Sequence, residues 1–144
     1  MFLRYQHLFN ALEEALTNTK KSKPFRILEI GTFDGVRAAQ MAERAIKFGR
    51  RSVEYYGFDF FEDINFDHQT EECLCSDPVR SLEDVRTQLA KNNKIVIKLF
   101  KGDSKETLPK NLTDLPTMHL IVISGGHSLI TVQSDLENSL KVAQ

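Results

Sequence analysis

Apolar positions along the chain switch between two spacings, and the switches mark out the elements. Phe2, Tyr5, Phe9, Leu12 and Leu16 recur every three or four residues with Glu13 and Glu14 opposite them, which predicts an N-terminal amphipathic helix within 1–20. The polar stretch "TNTKKSKP" breaks it. "FRILEI" (Phe25 to Ile30) is a short apolar run between Pro24 and Gly31, and helical spacing returns through Val36, Ala39, Met41, Ala42, Ala45, Ile46 and Phe48. This is a strand, a glycine turn and a helix.

"VEYYGFDFF" predicts a second strand, rich in aromatic and β-branched residues. The segment "EDINFDHQTEECLCSDP" that follows is acidic and aperiodic, and reads as a solvated, mobile loop in preference to a cover over a site or a contact for a ligand. Val79, Leu82, Val85 and Leu89 then give a helix, "KIVIKLF" a third strand closed by Gly102, and "SKETLP" a short turn capped by Ser104 and stopped at Pro109. "TMHLIVI" is the fourth strand, and Ser128 opens a last helix through Ile130, Val132, Leu136 and Leu140. Strands of near-continuous apolar character alternating with helices predict an α/β fold with a doubly wound parallel sheet. The pattern stops at Gln144 just after a helix, where such folds return to another strand, so a domain shortened at its C-terminal end is expected.

Composition narrows the partners. A hydrophobic fraction of 41%, a charged fraction of 27% and a net charge of −1 suit one soluble domain, with no bias toward nucleic acid or anionic membrane. Arg50, Arg51, Lys20, Lys21 and Lys23 read as solvated basic groups near helix ends. No apolar run is long enough to cross a bilayer and no secretion signal is evident, so a cytoplasmic location is expected. Cys73 and Cys75 stand too close together for an unstrained bridge and are expected as free thiols.

In open parallel sheets ligands bind beyond the carboxyl ends of the strands. Here those ends carry "EIGTFDG", Asp59, "KGDS" and "SGGHS". Gly31 and Gly35 permit a tight turn, and Asp59 follows at about the 20-residue distance where an acid holds ribose hydroxyls. Phe33 stands where a dinucleotide fingerprint would need its second glycine, which disfavours a nicotinamide-binding reading.

The segments "ILEIGTFDGVRAAQMAERA", "YYGFDFF", "FKGDSKETLP" and "MHLIVISGGHS" resemble the motifs of the class I S-adenosylmethionine-dependent methyltransferases, in particular small-molecule O-methyltransferases of the macrocin and catechol types. The resemblance implies a Rossmann-like sheet of order 3-2-1-4 and bound S-adenosyl-L-methionine. It implies that Glu29 orients the methionine amino group, directly or through water, and that the turn containing Gly31, Thr32, Phe33 and Gly35 passes beneath the amino-acid part. Asp59, with Phe60 next to it, would receive the ribose; Gly102, Asp103 and Ser104 would flank the adenine; Ser124 and Gly125 would close the fourth side. Metal-dependent relatives end the fourth strand in an aspartate, where this chain has Ser124, so no metal site is expected.

His127 remains as the candidate base for a hydroxyl acceptor, balanced by a purely structural role as a loop histidine. Structural roles are expected for His7, His68 and His119. Asp63, Asp67, His68 and Glu71 form at most a loose metal cluster, and Phe60, Phe61 and Phe66 read as anchors in the core. The functional expectation is O-methyl transfer to a small hydroxylated acceptor. Its alternative is a methyltransferase-like domain that binds the cofactor without turnover, and a nucleotide- or NAD-binding domain ranks third. An open sheet edge also predicts self-association.

Overall fold

A computed structural model of the chain describes residues 5–74 and 79–144. Strands β1 (Phe25–Ile30), β2 (Val53–Asp59), β3 (Ile95–Lys101) and β4 (Leu120–Ile123) form one parallel sheet in the order β3-β2-β1-β4. Register pairs Ile30 with Phe58 on one side and Ile123 on the other, and Phe58 with Phe100, so the carboxyl ends of all four strands finish together.

Helices α1 (Gln6–Asn18), α2 (Val36–Lys47), α3 (Phe66–Glu71), α4 (Leu82–Ala90), α5 (Ser104–Asn111) and α6 (Leu129–Leu140) complete the fold. Alternate strand residues point to opposite faces. Phe25, Ile27, Val53 and Tyr55 meet Leu12 and Leu16 of α1, Met41 and Ala42 of α2, and Val85 and Leu89 of α4. Leu28, Ile30, Tyr56 and Phe58 meet Leu108 of α5, with Met118 and Val142, on the other face. Two buried faces explain why the strands read as almost unbroken apolar runs.

Several local expectations are corrected. α4 starts at Leu82, because Ser81 and Asp84 form a reciprocal capping box there. α5 is capped by Asp103, whose Oδ1 accepts from the Lys105 N–H at 2.9 Å, and it continues through Pro109 to Asn111. Arg50 is only 2% exposed: its guanidinium donates to the carbonyls of Leu16, Thr19 and Lys20 at 2.5 to 2.7 Å and lies over Phe25, serving as a C-terminal cap for α1. Phe61 is buried, whereas Phe66 is exposed.

The acidic segment after β2 is corrected too. It folds into a 3-10 turn, Phe61–Asp63, and α3, and the buried Glu72 pins it to the opposite wall. The Glu72 carboxylate accepts from Thr131 Oγ1 at 2.6 Å, Ser128 N–H at 3.1 Å and Lys105 Nζ at 3.3 Å, while its backbone carbonyl accepts from His127 N–H at 3.1 Å. Burial opposes the charge, but these hydrogen bonds outweigh it and bring the carboxyl down from 4.5 to about 2. A depressed folded-state pKa contributes stability that is fully present above the ordinary value and lost as pH falls through the lowered one. We expect Glu72→Gln to cost about 1–3 kcal/mol at neutral pH. The difference from the unaltered chain should shrink to nothing between pH 4.5 and about 2, as urea unfolding over a pH series would show.

His119 has the structural role expected: its Nδ1 accepts from the Arg26 N–H at 2.8 Å and its ring stacks on Phe25. His68 stacks on Phe60. Cys73 is a free, exposed thiol, while Cys75 lies outside the described residues.

Candidate functional site

A cavity of about 360 Å³ opens where the four strands end. Its floor is Ile30, Gly31, Phe58 and Asp59; Gly102 and Ser104 form one side, and the turn Ser124 to His127 another. Phe60 and Phe61 after β2, with Ile64, Gln69 and Leu74 of the acidic segment, cover it. Tyr5, Phe33 and Arg37 join it to a wider groove between α1 and α2.

The floor depends on close backbone approach. Gly31 has φ +90°, and a Cβ there would stand 2.4 Å from the Ser124 carbonyl oxygen. Only glycine fits this crossing of the β1 turn and the end of β4. Asp59 then fixes the turn, its Oδ2 accepting from Phe33 N–H at 2.8 Å and its Oδ1 from Phe61 N–H at 2.9 Å. Phe33 sits at φ +55°, a strained conformation for a side chain of this size, and half of it is exposed at the mouth.

Of the residues singled out in the sequence, Gly31, Phe33, Asp59, Phe60, Gly102, Ser104, Ser124, Gly125 and His127 line this one cavity. Glu29, Thr32, Gly35 and Asp103 support its walls from behind. Gly35, with φ +76°, starts α2, and the Asp103 carboxylate is engaged with the backbone and Nζ of Lys105. Thr32 is buried beside the Tyr55 hydroxyl at 3.2 Å.

Glu29 is fully buried between Arg37 and Tyr55, with its Oε1 2.5 Å from Arg37 Nε and its Oε2 accepting from the Tyr55 hydroxyl. Burial pushes the Glu29 carboxyl up, and Arg37 and Tyr55 offset part of that rise. For Arg37 burial favours the neutral form, but the attraction of Glu29 wins and its pKa is raised. Burial also drives the Tyr55 hydroxyl well above its usual value.

Arg37 is the residue that the sequence reading missed. Its Nη2 donates to the Gly31 carbonyl at 2.9 Å and to Ser124 Oγ at 2.5 Å, so the charge facing the cavity at this end is a guanidinium. One signal was present: a cation in the first turn of a helix opposes the helix dipole and needs a partner to hold it there. The same charge beside Ser124 disfavours a second cation there. Among the described residues, no three His, Cys, Asp or Glu side chains are grouped as a metal site requires.

A parallel sheet of this order, with a crevice at its strand ends, defines a Rossmann-like fold. The chain belongs to the methyltransferase-domain family, whose model matches residues 28–144. Among solved structures it is similar to CalS11, a calicheamicin methyltransferase, at 19% identity and a TM-score of 0.60 over 99% of this chain. The chain spans 63% of that protein's length. No curated protein shows significant sequence similarity to it.

Proposed function

We propose that the chain binds S-adenosylmethionine in the strand-end cavity and transfers its methyl group to the hydroxyl of a small acceptor. The observation that carries this reading is Asp59: each carboxylate oxygen is held by one backbone N–H and keeps a lone pair for a ribose hydroxyl, at the floor of the cavity.

The rest of the lining fits the same molecule. Phe60, Ile64, Leu74 and Val79 offer apolar contacts to a nucleobase beside Gly102 and Ser104. The guanidinium of Arg37 offers its remaining N–H groups to the methionine carboxylate. Glu29 acts through Arg37 by fixing its orientation and balancing its charge. When bound, the cofactor supplies an electrophilic methyl on a sulfonium for in-line displacement.

The protein's own work is alignment and proton removal. The acidic segment covers the cavity and shields the reacting atoms from water. His127, at the rim with its backbone N–H tied to Glu72, presents an imidazole to accept the hydroxyl proton. The groove between α1 and α2 offers room for the body of the acceptor.

The test is methyl transfer from labelled S-adenosylmethionine across a panel of sugars and phenols, with products mapped to oxygen or another atom. His127→Ala should lower kcat by about 10²- to 10⁴-fold, with S-adenosylhomocysteine affinity unchanged. Full activity of His127→Ala on hydroxyl acceptors would remove the histidine from the mechanism. A second reading, cofactor binding without turnover, draws on Arg37 standing beside Ser124 in place of an acid. It predicts S-adenosylhomocysteine binding with no product from any acceptor, and no gain from Ser124→Asp with Mg²⁺.

A further inference from the structure

One buried acid has no part in the fold or the site described so far. Asp135 of α6 is 0% exposed, and among the described residues neither of its carboxyl oxygens has a hydrogen-bond partner. Leaving a buried polar group unpaired is costly, so such a group in a native fold calls for an explanation.

Asp135 stands one turn after Thr131 and one turn before Ser139, and all three are buried. This side of α6 packs on α5, where Lys105 Nζ reaches Thr131 Oγ1 at 2.9 Å. The donors on this wall are nearly all committed. An ammonium has three N–H groups, and Lys105 Nζ lies 2.9 Å from Thr131, 3.0 Å from Asp103 and 3.3 Å from Glu72. The Thr131 hydroxyl donates to Glu72 at 2.6 Å, and the Ser139 hydroxyl to the Leu136 carbonyl at 3.2 Å. The Ser104 hydroxyl remains. Burial pushes the Asp135 carboxyl up, and Ser104 is the foremost influence holding that rise back, although its hydroxyl stops short of hydrogen-bond geometry.

Ser104 connects this acid to the cavity. It is the first residue of α5, is 9% exposed and lines the strand-end cavity beside Gly102. A hydroxyl has one proton and two lone pairs, so what Ser104 shows to a ligand depends on where its proton goes.

We propose that Asp135 is a positioning residue that takes the Ser104 proton, so that the Ser104 oxygen faces the cavity as an acceptor and selects a nucleobase carrying an exocyclic amine over one carrying a carbonyl at the same place. Charged or neutral, a carboxyl keeps an oxygen able to accept that proton. The inference rests on the nucleoside reading of the cavity under the proposed function, and adds to it a residue that touches no ligand.

Calorimetric titration with S-adenosylhomocysteine and its 6-oxo analogue S-inosylhomocysteine tests it. The unaltered chain is expected to bind the amine form at least about 10-fold more tightly, because the carbonyl form sets two acceptors face to face. Asp135→Ala and Asp135→Val, two apolar fillings of the same space, free the Ser104 proton to point into the cavity and should cut that ratio to about 3-fold or less. At least one of them should keep a urea midpoint no lower than the unaltered chain's, since an unpaired buried acid is removed. Ser104→Ala should give the same reduced ratio, and adding it to Asp135→Ala should change the ratio no further. Equal binding of the two nucleosides by the unaltered chain, a ratio that survives the Asp135 substitutions, or one that falls with them but not with Ser104→Ala would overturn the proposal and leave the cofactor reading standing. So would a loss of stability in both Asp135 variants with the ratio intact in Ser104→Ala. If the unaltered chain binds neither nucleoside, the proposed function itself fails and this inference with it.

Discussion

Replacing Arg37 with methionine is expected to destabilise the fold by about 3–5 kcal/mol, the cost of leaving a buried carboxylate without its partner. Glu29 has no exposed surface, and its other partner, the Tyr55 hydroxyl, carries no charge to balance it. The double variant Glu29→Gln with Arg37→Met should recover most of that loss, because it removes the stranded charge while Tyr55 keeps a hydrogen-bond acceptor. Urea unfolding of the two single variants and the double variant reads this directly. Equal losses in Arg37→Met and the double variant would mean that packing of the Arg37 stem, and not its charge, holds the turn.

The second large effect concerns Asp59. On the proposed function, Asp59→Ala removes both acceptors offered to the ribose hydroxyls and is expected to weaken S-adenosylhomocysteine binding by at least about 100-fold, since two charge-assisted hydrogen bonds are lost. It also releases the backbone N–H groups of Phe33 and Phe61. Asp59→Asn separates the two contributions: the amide keeps one oxygen for a backbone N–H but turns an NH₂ toward the other, so it should lose affinity while moving the Tm less than alanine does. Unchanged affinity in both variants would place the ligand elsewhere.

The four strands, the β1 turn and Asp59 were legible because each is local: a glycine bounds a short apolar run, and an acid stands at the next strand's end. The parallel direction of the strands followed from their alternation with helices, and the order β3-β2-β1-β4 from the resemblance to the methyltransferase motifs. Arg37 was not legible as part of the site, because its partners Glu29 and Ser124 come from two different strand ends that meet only in the folded sheet. Arg50 was hidden for a similar reason: its partners are backbone carbonyls some 30 residues earlier, and no side-chain pattern records them.

The acidic segment was misjudged because composition favoured a solvated loop, while one buried residue, Glu72, decides its position through contacts with α5 and α6. Helix α6 shows the complementary failure. Its periodicity marked a helix, but Thr131, Asp135 and Ser139 are its buried residues while Ile130, Val132, Leu136 and Leu140 are exposed, because a spacing pattern reports that one side is apolar and not which side is covered.

Whether the strand-end cavity holds S-adenosylmethionine is decided by calorimetric titration of the chain with S-adenosylhomocysteine and, separately, NAD. The proposed function predicts saturable one-to-one binding of S-adenosylhomocysteine that Asp59→Ala abolishes, and no binding of NAD. Binding of NAD without S-adenosylhomocysteine would contradict it.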